Sequence, residues 1–219
     1  MDITKFAILK KLAGGGGGGG HEMEDALVTG TLTEYTNNRV TKIKHSCFHS
    51  CNSLTSVSLP NIADVSNSCF SACGKLVTVN VPSAKSIDDN GFAQCSSLVR
   101  VKFPNVETAK TYALRNCSKL EEADFPKITA LLASVFENDS QLKAVIIRTG
   151  SVCTLGNIYS FNNTPISSGT GYIYVPAALV DSYKTATNWT TYANQFRALE
   201  SYTVDGTTTG ELDPTKVNA

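Results

Sequence analysis

The chain has 219 residues, of which 42% are hydrophobic and 17% are charged, and its 19 basic side chains balance its 19 acidic ones. A chain of this length can bury one continuous core, and its net charge of zero creates no field that would draw it to nucleic acid or to an anionic membrane surface. No stretch approaches the roughly 20 apolar residues that cross a bilayer. Composition therefore predicts neither a nucleic-acid partner nor membrane insertion.

The N-terminal segment, residues 1–20, is separate from the rest of the chain. Residues 1–13 have the apolar spacing of a short amphipathic helix, and seven consecutive glycines follow as Gly14–Gly20. Such a tract is typical of a flexible linker. The alternative is an attachment device through which residues 1–20 join copies of the chain into a homo-oligomer. We expect no signal peptide, because the apolar run that one requires is interrupted by Asp2, Lys5, Lys10 and Lys11.

A strict period, equal to the spacing from Pro60 to Pro82, governs the middle of the chain. Four registers keep this period: a proline register (Pro60, Pro82, Pro104, Pro126), a leucine register (Leu32, Leu54, Leu76, Leu98, Leu120, Leu142), an aromatic register (Phe48, Phe70, Phe92, Leu114, Phe136) and a cysteine register (Cys51, Cys73, Cys95, Cys117). A repeat this strict predicts a solenoid, in which each copy buries its apolar side chains against its neighbours. We predict one repeat domain over residues 21–176, with its first copy at residues 32–53.

Each copy is predicted to contain one well-defined strand. The alternation around Leu54, Val57 and Leu59 is that of a half-buried strand, which ends at Pro60 because proline cannot donate to a ladder. Equivalent strands of successive copies then stack as a parallel ladder. The second segment of each copy, such as residues 62–65, is expected to form tight turns with short strands.

The period changes near the C-terminus. The spacing from Val145 to Ile173 exceeds one period by six residues, which predicts a six-residue insertion around residues 162–170. Residues 177–201 carry helical spacing and are predicted to form a small helical cap, and the polar tail 202–219 is expected to be flexible. The apolar faces of the cap are assigned to Leu179, Val180, Tyr183, Tyr192, Phe196 and Leu199. Three aromatic residues near the insertion are expected to pack on the cap, a binding loop being the alternative: Tyr159, Phe161 and Tyr172.

The cysteines and histidines do not predict a metal site. The seven cysteines are expected to be buried, reduced thiols. His45, Cys47, His49 and Cys51 are of the residue types that bind zinc, but the two cysteines share core registers with other copies, whereas the two histidines should point outward. No catalytic motif or nucleotide-binding loop is present. We therefore predict no enzyme activity, no metal and no cofactor.

The repeats resemble a known family. The segments SLTSVSLPNIADVSNSCFSACGKL and SLVRVKFPNVETAKTYALRNCSKL are similar to the BspA-type leucine-rich repeat of bacterial surface and secreted proteins. The resemblance implies a leucine-rich repeat solenoid wound as a right-handed coil, built mostly from strands and turns, that binds a protein or a glycan. It also implies a place on a bacterial cell surface, outside the cell or, for prophage-encoded members, on a virion.

The outward positions of the strand ladder run in two columns that extend to Ala144 and Ile146, and they form the predicted binding surface, because a solenoid binds with its rigid side-chain array. Arg100 should face Glu122 and Lys102 should face Asp124, and such cross-strand pairs are predicted to be solvated and structural. The favoured function is non-enzymatic binding or adhesion, and the alternative is a structural spacer or decoration protein attached through residues 1–20. The candidate binding residues are Ser56, Ser58, Thr78, Asn80, Arg100, Lys102, Glu122 and Asp124.

Overall fold

The computed structural model describes residues 32–201, together with the backbone of residues 21–22, 203–204 and 207–208. The helix predicted over residues 1–13, the glycine tract and most of the tail lie outside the described residues. Between residues 32 and 176 the chain winds through successive copies of the repeat, and each regular copy contributes one strand to each of two parallel ladders. At the N-terminal end β1 (His21–Glu22) pairs with β3 (Val40–Lys42), and in the tail β16 (Thr203–Val204) pairs with β17 (Thr207–Thr208).

The first ladder is made by the strand that precedes the proline register. In Ser56–Ser58 the central valine is buried and the two serines are half-buried on the outer side, as the alternation predicts. Equivalent residues of adjacent copies stand opposite each other, for example Ser56 opposite Thr78, which confirms the predicted parallel register. We call the outer side of this ladder the strand face. Its strands are β2 (Glu34–Thr36), β4 (Ser56–Ser58), β6 (Thr78–Asn80), β8 (Arg100–Lys102), β10 (Glu122–Phe125), β12 (Ala144–Ile147), β14 (Tyr172–Val175) and β15 (Phe196–Ala198).

This ladder is interrupted between β6 and β8, so that a three-stranded sheet is followed by a five-stranded one. The break falls where the residue before the proline changes from Val81 to Phe103, both of which are buried. The same two copies stay paired in the second ladder. The solenoid is therefore continuous, but the strand pairing of its first ladder is interrupted at one place.

The second ladder, here called the lateral ladder, has only two residues of each regular copy. One of the two side chains is buried in every strand, such as Val65 and Ile87, so these short pairs add to the same core. The strands are β5 (Asp64–Val65), β7 (Ser86–Ile87), β9 (Thr108–Ala109), β11 (Ala130–Leu131) and β13 (Thr154–Leu155). The prediction of turns and short strands in this segment is confirmed.

The corners of each copy are built from residues with left-handed backbone. Ser68 (φ 52°) and Ala72 (φ 60°) show the two positions, which recur in the other copies. Glycine is the usual residue for positive φ, yet these corners carry other residues. Inter-copy backbone bonds hold the conformation, such as Ser68 N–H to Asp89 O at 2.9 Å. The corner residues are Ser46, Ser50, Ser68, Ala72, Asn90, Gln94, Tyr112, Asn116, Ser134, Asn138 and Asn163.

A line of aromatic rings runs along the core, and we call it the aromatic spine. Phe48, Phe70 and Phe92 stack with neighbouring ring centroids 5.2 Å apart. Such offset stacking adds about 0.5–1.5 kcal/mol per pair to the area that the rings bury. The spine therefore follows directly from the aromatic register of the sequence.

Leu114 interrupts the aromatic register, and two rings from the strand side replace the missing one. Phe103 lies 5.6 Å from Phe92, Phe125 lies 5.6 Å from Phe103, and Phe136 lies 6.1 Å from Phe125, measured between ring centroids. The spine is thus preserved by a detour through a different register. The period alone does not reveal this substitution.

The cysteine register is buried along its whole length, and all seven cysteines are free. Burial raises the pKa of Cys73 to about 12 and the pKa of Cys95 well above its usual range. The thiols of Cys73, Cys95 and Cys117 each donate to a carbonyl of the preceding copy, over 3.0, 3.1 and 3.2 Å. A thiol that cannot ionise is a poor nucleophile, so this column is structural.

The six extra residues of the last copy lie in two places rather than together in residues 162–170. The Phe161 ring stacks on Phe136, and this spacing is three residues longer than one period. Tyr172 pairs with Ala144, and that spacing is six residues longer. Half of the extra residues therefore precede Phe161 and half follow it, so the predicted position is wrong for the first half. The second half contains α1 (Pro165–Ser168), a single turn.

Residues 177–201 close the C-terminal end, but only part of this segment is helical. It contains α2 (Val180–Thr185) and three 3-10 helices, at Ala177–Leu179, Trp189–Gln195 and Leu199–Ser201. The prediction of helix across Phe196 is wrong, since Phe196–Ala198 is strand β15 and pairs in parallel with β14. The physical reason is that the last strand of the ladder has unpaired backbone groups, which an added strand satisfies.

Side chains of the same segment cover the edge of the lateral ladder. The Trp189 indole nitrogen donates to Cys153 O at 2.6 Å, and the Asn188 amide donates to Leu155 O at 2.7 Å. The Tyr192 hydroxyl donates to the carbonyl of Ile158. Both ladders are therefore closed at this end, one by a strand and the other by side chains.

Candidate functional site

The strand face brings the predicted binding residues together in two columns. Arg100 stands opposite Glu122, and Ser58 stands opposite Asn80. Lys102 stands opposite Asp124. Each column then continues through Ala144 or Ile146 into Tyr172 or Tyr174. The prediction that Ala144 and Ile146 are exposed on the outer side is wrong, because Tyr174 and Leu199 pack against them and both are buried. Within each of the two sheets the register of the candidate residues is therefore as predicted, whereas β6 and β8 are not paired and the exposure differs along the face.

The N-terminal half of the strand face is open to solvent. Ser56, Ser58 and Thr78 are half-buried and Asn80 is exposed. The Asn80 amide donates to Ser58 Oγ at 2.9 Å, which orients the amide across two strands. We call these positions, with the exposed residues of β2, the open half: Glu34, Thr36, Ser56, Ser58, Thr78 and Asn80.

A pair of opposite charges lies at the centre of the strand face. Arg100 Nε is 3.1 Å from Glu122 Oε2, and the two side chains are 23% and 14% exposed. This pair joins adjacent strands at one register, as predicted. It occupies both side chains within the protein.

Asp124 is fully buried, so the prediction that it forms a solvated pair is wrong. Arg148 holds it through two bonds, from Nε to Oδ1 and from Nη2 to Oδ2, both 3.1 Å. Lys102 Nζ lies farther away, 3.9 Å from Oδ2. A buried carboxylate needs such a paired cation, because desolvation alone would cost several kcal/mol. Arg148 was not predicted, although it stands at the proline register, one period after Pro126, where a change of residue type is visible in the sequence.

Asp124, Ala144 and Ile146 are buried on the strand face, and Tyr172 and Tyr174 beyond them are half-buried; we call this part the closed half. Ala144 and Ile146 are buried and form a small apolar cluster with Tyr174 and Leu199. Arg197 stacks on the ring of Tyr172, with 4.2 Å from its guanidinium carbon to the ring centroid. The closed half comprises Asp124, Ala144, Ile146, Tyr172 and Tyr174.

The three aromatic residues near the insertion differ in their burial. Phe161 is buried in the spine, and Tyr172 packs under Arg197, in accord with the prediction that they pack at the C-terminal end. Tyr159 is 57% exposed, so the packing prediction is wrong for this residue. It lies in the part of the last copy where extra residues enter, and its ring is therefore not constrained by the repeat.

The histidines and cysteines of the first copy lie on opposite sides of the chain. His45 and His49 are exposed, whereas Cys47 and Cys51 are buried, as the registers predict. Within the described residues no three His, Cys, Asp or Glu side chains come together as a candidate metal site.

A cleft of about 310 Å³ lies at the N-terminal end of the lateral ladder, away from the strand face. At its edge the Ser66 hydroxyl donates to the carbonyl of Ile43. Its walls carry charges of both signs. The lining residues are Thr41, Lys42, Ile43, Lys44, His45, Ala63, Asp64, Ser66 and Asp88.

The sequence profile of the family described as BspA type leucine rich repeat region matches this chain in six copies, over residues 31–143 and 64–170. No curated protein matches the chain. No helix in the described residues has both the length and the hydropathy that a membrane span requires.

Two solved structures show the same fold. The pneumococcal vaccine antigen PcpA has a TM-score of 0.59 and 16% identity, over 77% of this chain and 42% of that one. A leucine-rich cell surface protein from Faecalibacterium prausnitzii has a TM-score of 0.50 and 17% identity, over 75% of this chain and 51% of that one. This chain therefore spans about half, or less, of each of these two structures.

Proposed function

The chain belongs to the BspA-type leucine-rich repeat family, and on that premise we propose that it is a non-enzymatic binding module that recognises a protein through the open half of the strand face. Leucine-rich repeat proteins are generally protein-interaction modules, and the rigid solenoid presents side chains in fixed columns. The observation that carries the proposal is the difference in solvent exposure along the strand face. Thr78 and Asn80 are accessible to solvent, whereas Ile146, which stands in the same column as Asn80, is buried.

The chemistry of the open half favours a partner that binds through hydrogen bonds. Its side chains are hydroxyls and an amide, with Glu34 as the single carboxylate. The nearest cations, Arg100 and Lys102, face the carboxylates of Glu122 and Asp124. Binding is therefore expected to depend weakly on salt, because screening acts on charged contacts.

Display on a bacterial cell surface or on a virion is part of the same proposal. The Faecalibacterium prausnitzii structure is described as a cell surface protein, which supports this location. In the proposed arrangement residues 1–20 tether the solenoid and allow the strand face to project.

The test is a binding screen of the full chain against bacterial and host surface proteins and against a glycan array. The variant with Ser58→Ala and Asn80→Ala should lose about tenfold in affinity, since each lost hydrogen bond contributes roughly 0.5–1.5 kcal/mol. The matched control, Thr108→Ala with Thr154→Ala, removes hydroxyls from the lateral ladder and should bind as the wild type does.

Three outcomes would count against the proposal. Equal affinity of the two variants would remove the strand face from recognition, and binding to glycans alone would replace the protein partner with a carbohydrate. If no protein or glycan in the screen shows saturable binding, the result would favour a structural spacer attached through residues 1–20.

A further inference from the structure

The cysteine register has a fixed hydrogen-bonding pattern in the regular copies. The carbonyls of Phe48, Phe70 and Phe92 each accept two hydrogens, one from the backbone of their own copy and one from the thiol of the next. Phe70 O, for example, accepts from Cys73 N–H at 3.2 Å and from Cys95 Sγ at 3.1 Å. In these copies the cysteine register supplies the second donor, and a residue without a side-chain hydrogen at that position would leave the carbonyl with its backbone donor alone.

Asp139 occupies this register in the copy at residues 120–141, and its side chain is fully buried. Cys117 N–H donates to Asp139 Oδ1 at 2.7 Å, where a regular copy would donate to Leu114 O. The carbonyl of Leu114 has thus lost its backbone donor. Asp139 Oδ2 is buried and has no hydrogen-bond partner.

The repeat makes Asp139 Oδ2 and Leu114 O the counterparts of the thiol and carbonyl that bond in the other copies. Two buried oxygens without a hydrogen between them cost free energy, because each has left water without a donor. A carboxyl group that keeps its proton has one O–H donor. The proton would restore the bond that the cysteine makes elsewhere.

The charges around Asp139 do not favour its ionised form. The titratable group that faces it from the preceding copy is the Cys117 thiol, and the column continues on the other side with the uncharged Thr164. The nearby Arg115 and Glu137 pair with each other at 3.1 Å, and among the described residues no cation forms an ion pair with Asp139. Burial, the largest cause, raises the pKa of Asp139 well above its usual range, and the bond from Cys117 N–H opposes this only in part.

We propose that Asp139 is protonated in the folded protein, that its Oδ2–H donates to Leu114 O, and that its ionisation is a pH-sensitive switch that loosens the copies at residues 98–141. These copies also carry the Arg100–Glu122 pair and Asp124, so the switch lies in the same copies as the centre of the strand face. The proposal does not depend on the strand face binding a ligand.

The direction of the pH dependence follows from linkage. The pKa of an unfolded aspartic acid is about 3.9, and the pKa of Asp139 in the folded protein is higher. The stability that Asp139 contributes is therefore fully present below the unfolded value and is lost as the pH rises toward the folded one. The carboxyl group should destabilise the protein most at neutral and alkaline pH.

The test uses thermal unfolding of the full chain with Asp139→Asn, whose amide can accept from Cys117 N–H and donate to Leu114 O at any pH. The Tm of this variant minus that of the wild type should be near zero at about pH 4 and should rise by about 2 °C or more at about pH 8. Asp139→Cys, which restores the register, should change in the same direction. A Tm difference that stays constant with pH would overturn the proposal.

Two further measurements keep the test decisive if a variant folds poorly. Infrared spectra of the wild type at about pH 6 should show the carbonyl stretch of a protonated carboxyl, and absence of that band would also overturn the proposal. Asp181→Asn serves as the control, because Asp181 is exposed and the Lys184 hydrogen bond lowers its pKa. Its Tm difference should change slightly and with the opposite sign.

Discussion

The two halves of the strand face share one backbone and one period, yet they differ in what surrounds them. In the open half Ser58 and Asn80 face solvent, whereas three copies after Asn80 the same column holds the buried Ile146. The change coincides with the return of the chain as β15 and with Leu199 packing on this surface. A repeat therefore determines where a side chain stands, while the segments that follow determine whether it is available to a partner.

The strongest test of this comparison is Arg148→Ala, which leaves the buried Asp124 without its bidentate partner. Removing one member of a buried ion pair costs about 3–5 kcal/mol, and we expect a loss in that range in urea denaturation. Lys85→Ala is the control, since Lys85 and Glu107 are both about half exposed and such a pair contributes about 1 kcal/mol or less. Equal losses from the two variants would mean that Asp124 is not held as described.

Ile146→Ala compares the two halves within one column. Truncating a buried isoleucine costs about 2–4 kcal/mol through lost burial and the cavity that remains. Asn80→Ala, three copies earlier, should change the free energy of unfolding by about 0.5 kcal/mol or less. If chemical denaturation gives similar small losses for both, the C-terminal half of the face is as open as the N-terminal half.

Lys102→Met tests the residue that stands between the open half and the closed half, and its expected change in the free energy of unfolding is the smallest of the three. Lys102 is 3.9 Å from Asp124 and Arg148 remains in place, so the loss should be about 1 kcal/mol or less. A double-mutant cycle with Arg148→Ala measures how the two cations share the carboxylate. A loss as large as that of Arg148→Ala would make Lys102 the principal partner.

The parts of the fold that depend on the period could be predicted from the sequence. The pairing of Ser56 with Thr78 and of Arg100 with Glu122 follows from counting one period along the chain, because stacked copies place equivalent residues side by side. The separation of His49 from Cys51 follows in the same way. These predictions needed no knowledge of packing.

The parts that depend on non-repeated segments could not be predicted in this way. Tyr192, Phe196 and Leu199 have spacings that suit a helix, but a short apolar run suits an added strand equally well, and the open edge of β14 decides between them. The burial of Asp124 depends on Arg148 and on the C-terminal cover, neither of which the period contains. Exposure on the strand face was therefore the weakest part of the prediction.

The detour of the aromatic spine has a consequence for how such a protein could be shortened or lengthened. Removing residues 54–75 would bring Phe48 against Phe92, a contact of the kind that both rings already make. Removing residues 98–119 would delete Phe103 together with Leu114, and Phe136 would then follow Phe92 at one period, the spacing at which Phe48, Phe70 and Phe92 already stack. The detour is therefore a local response to Leu114, and removal of a whole copy on either side of residue 98 should leave a continuous line of rings.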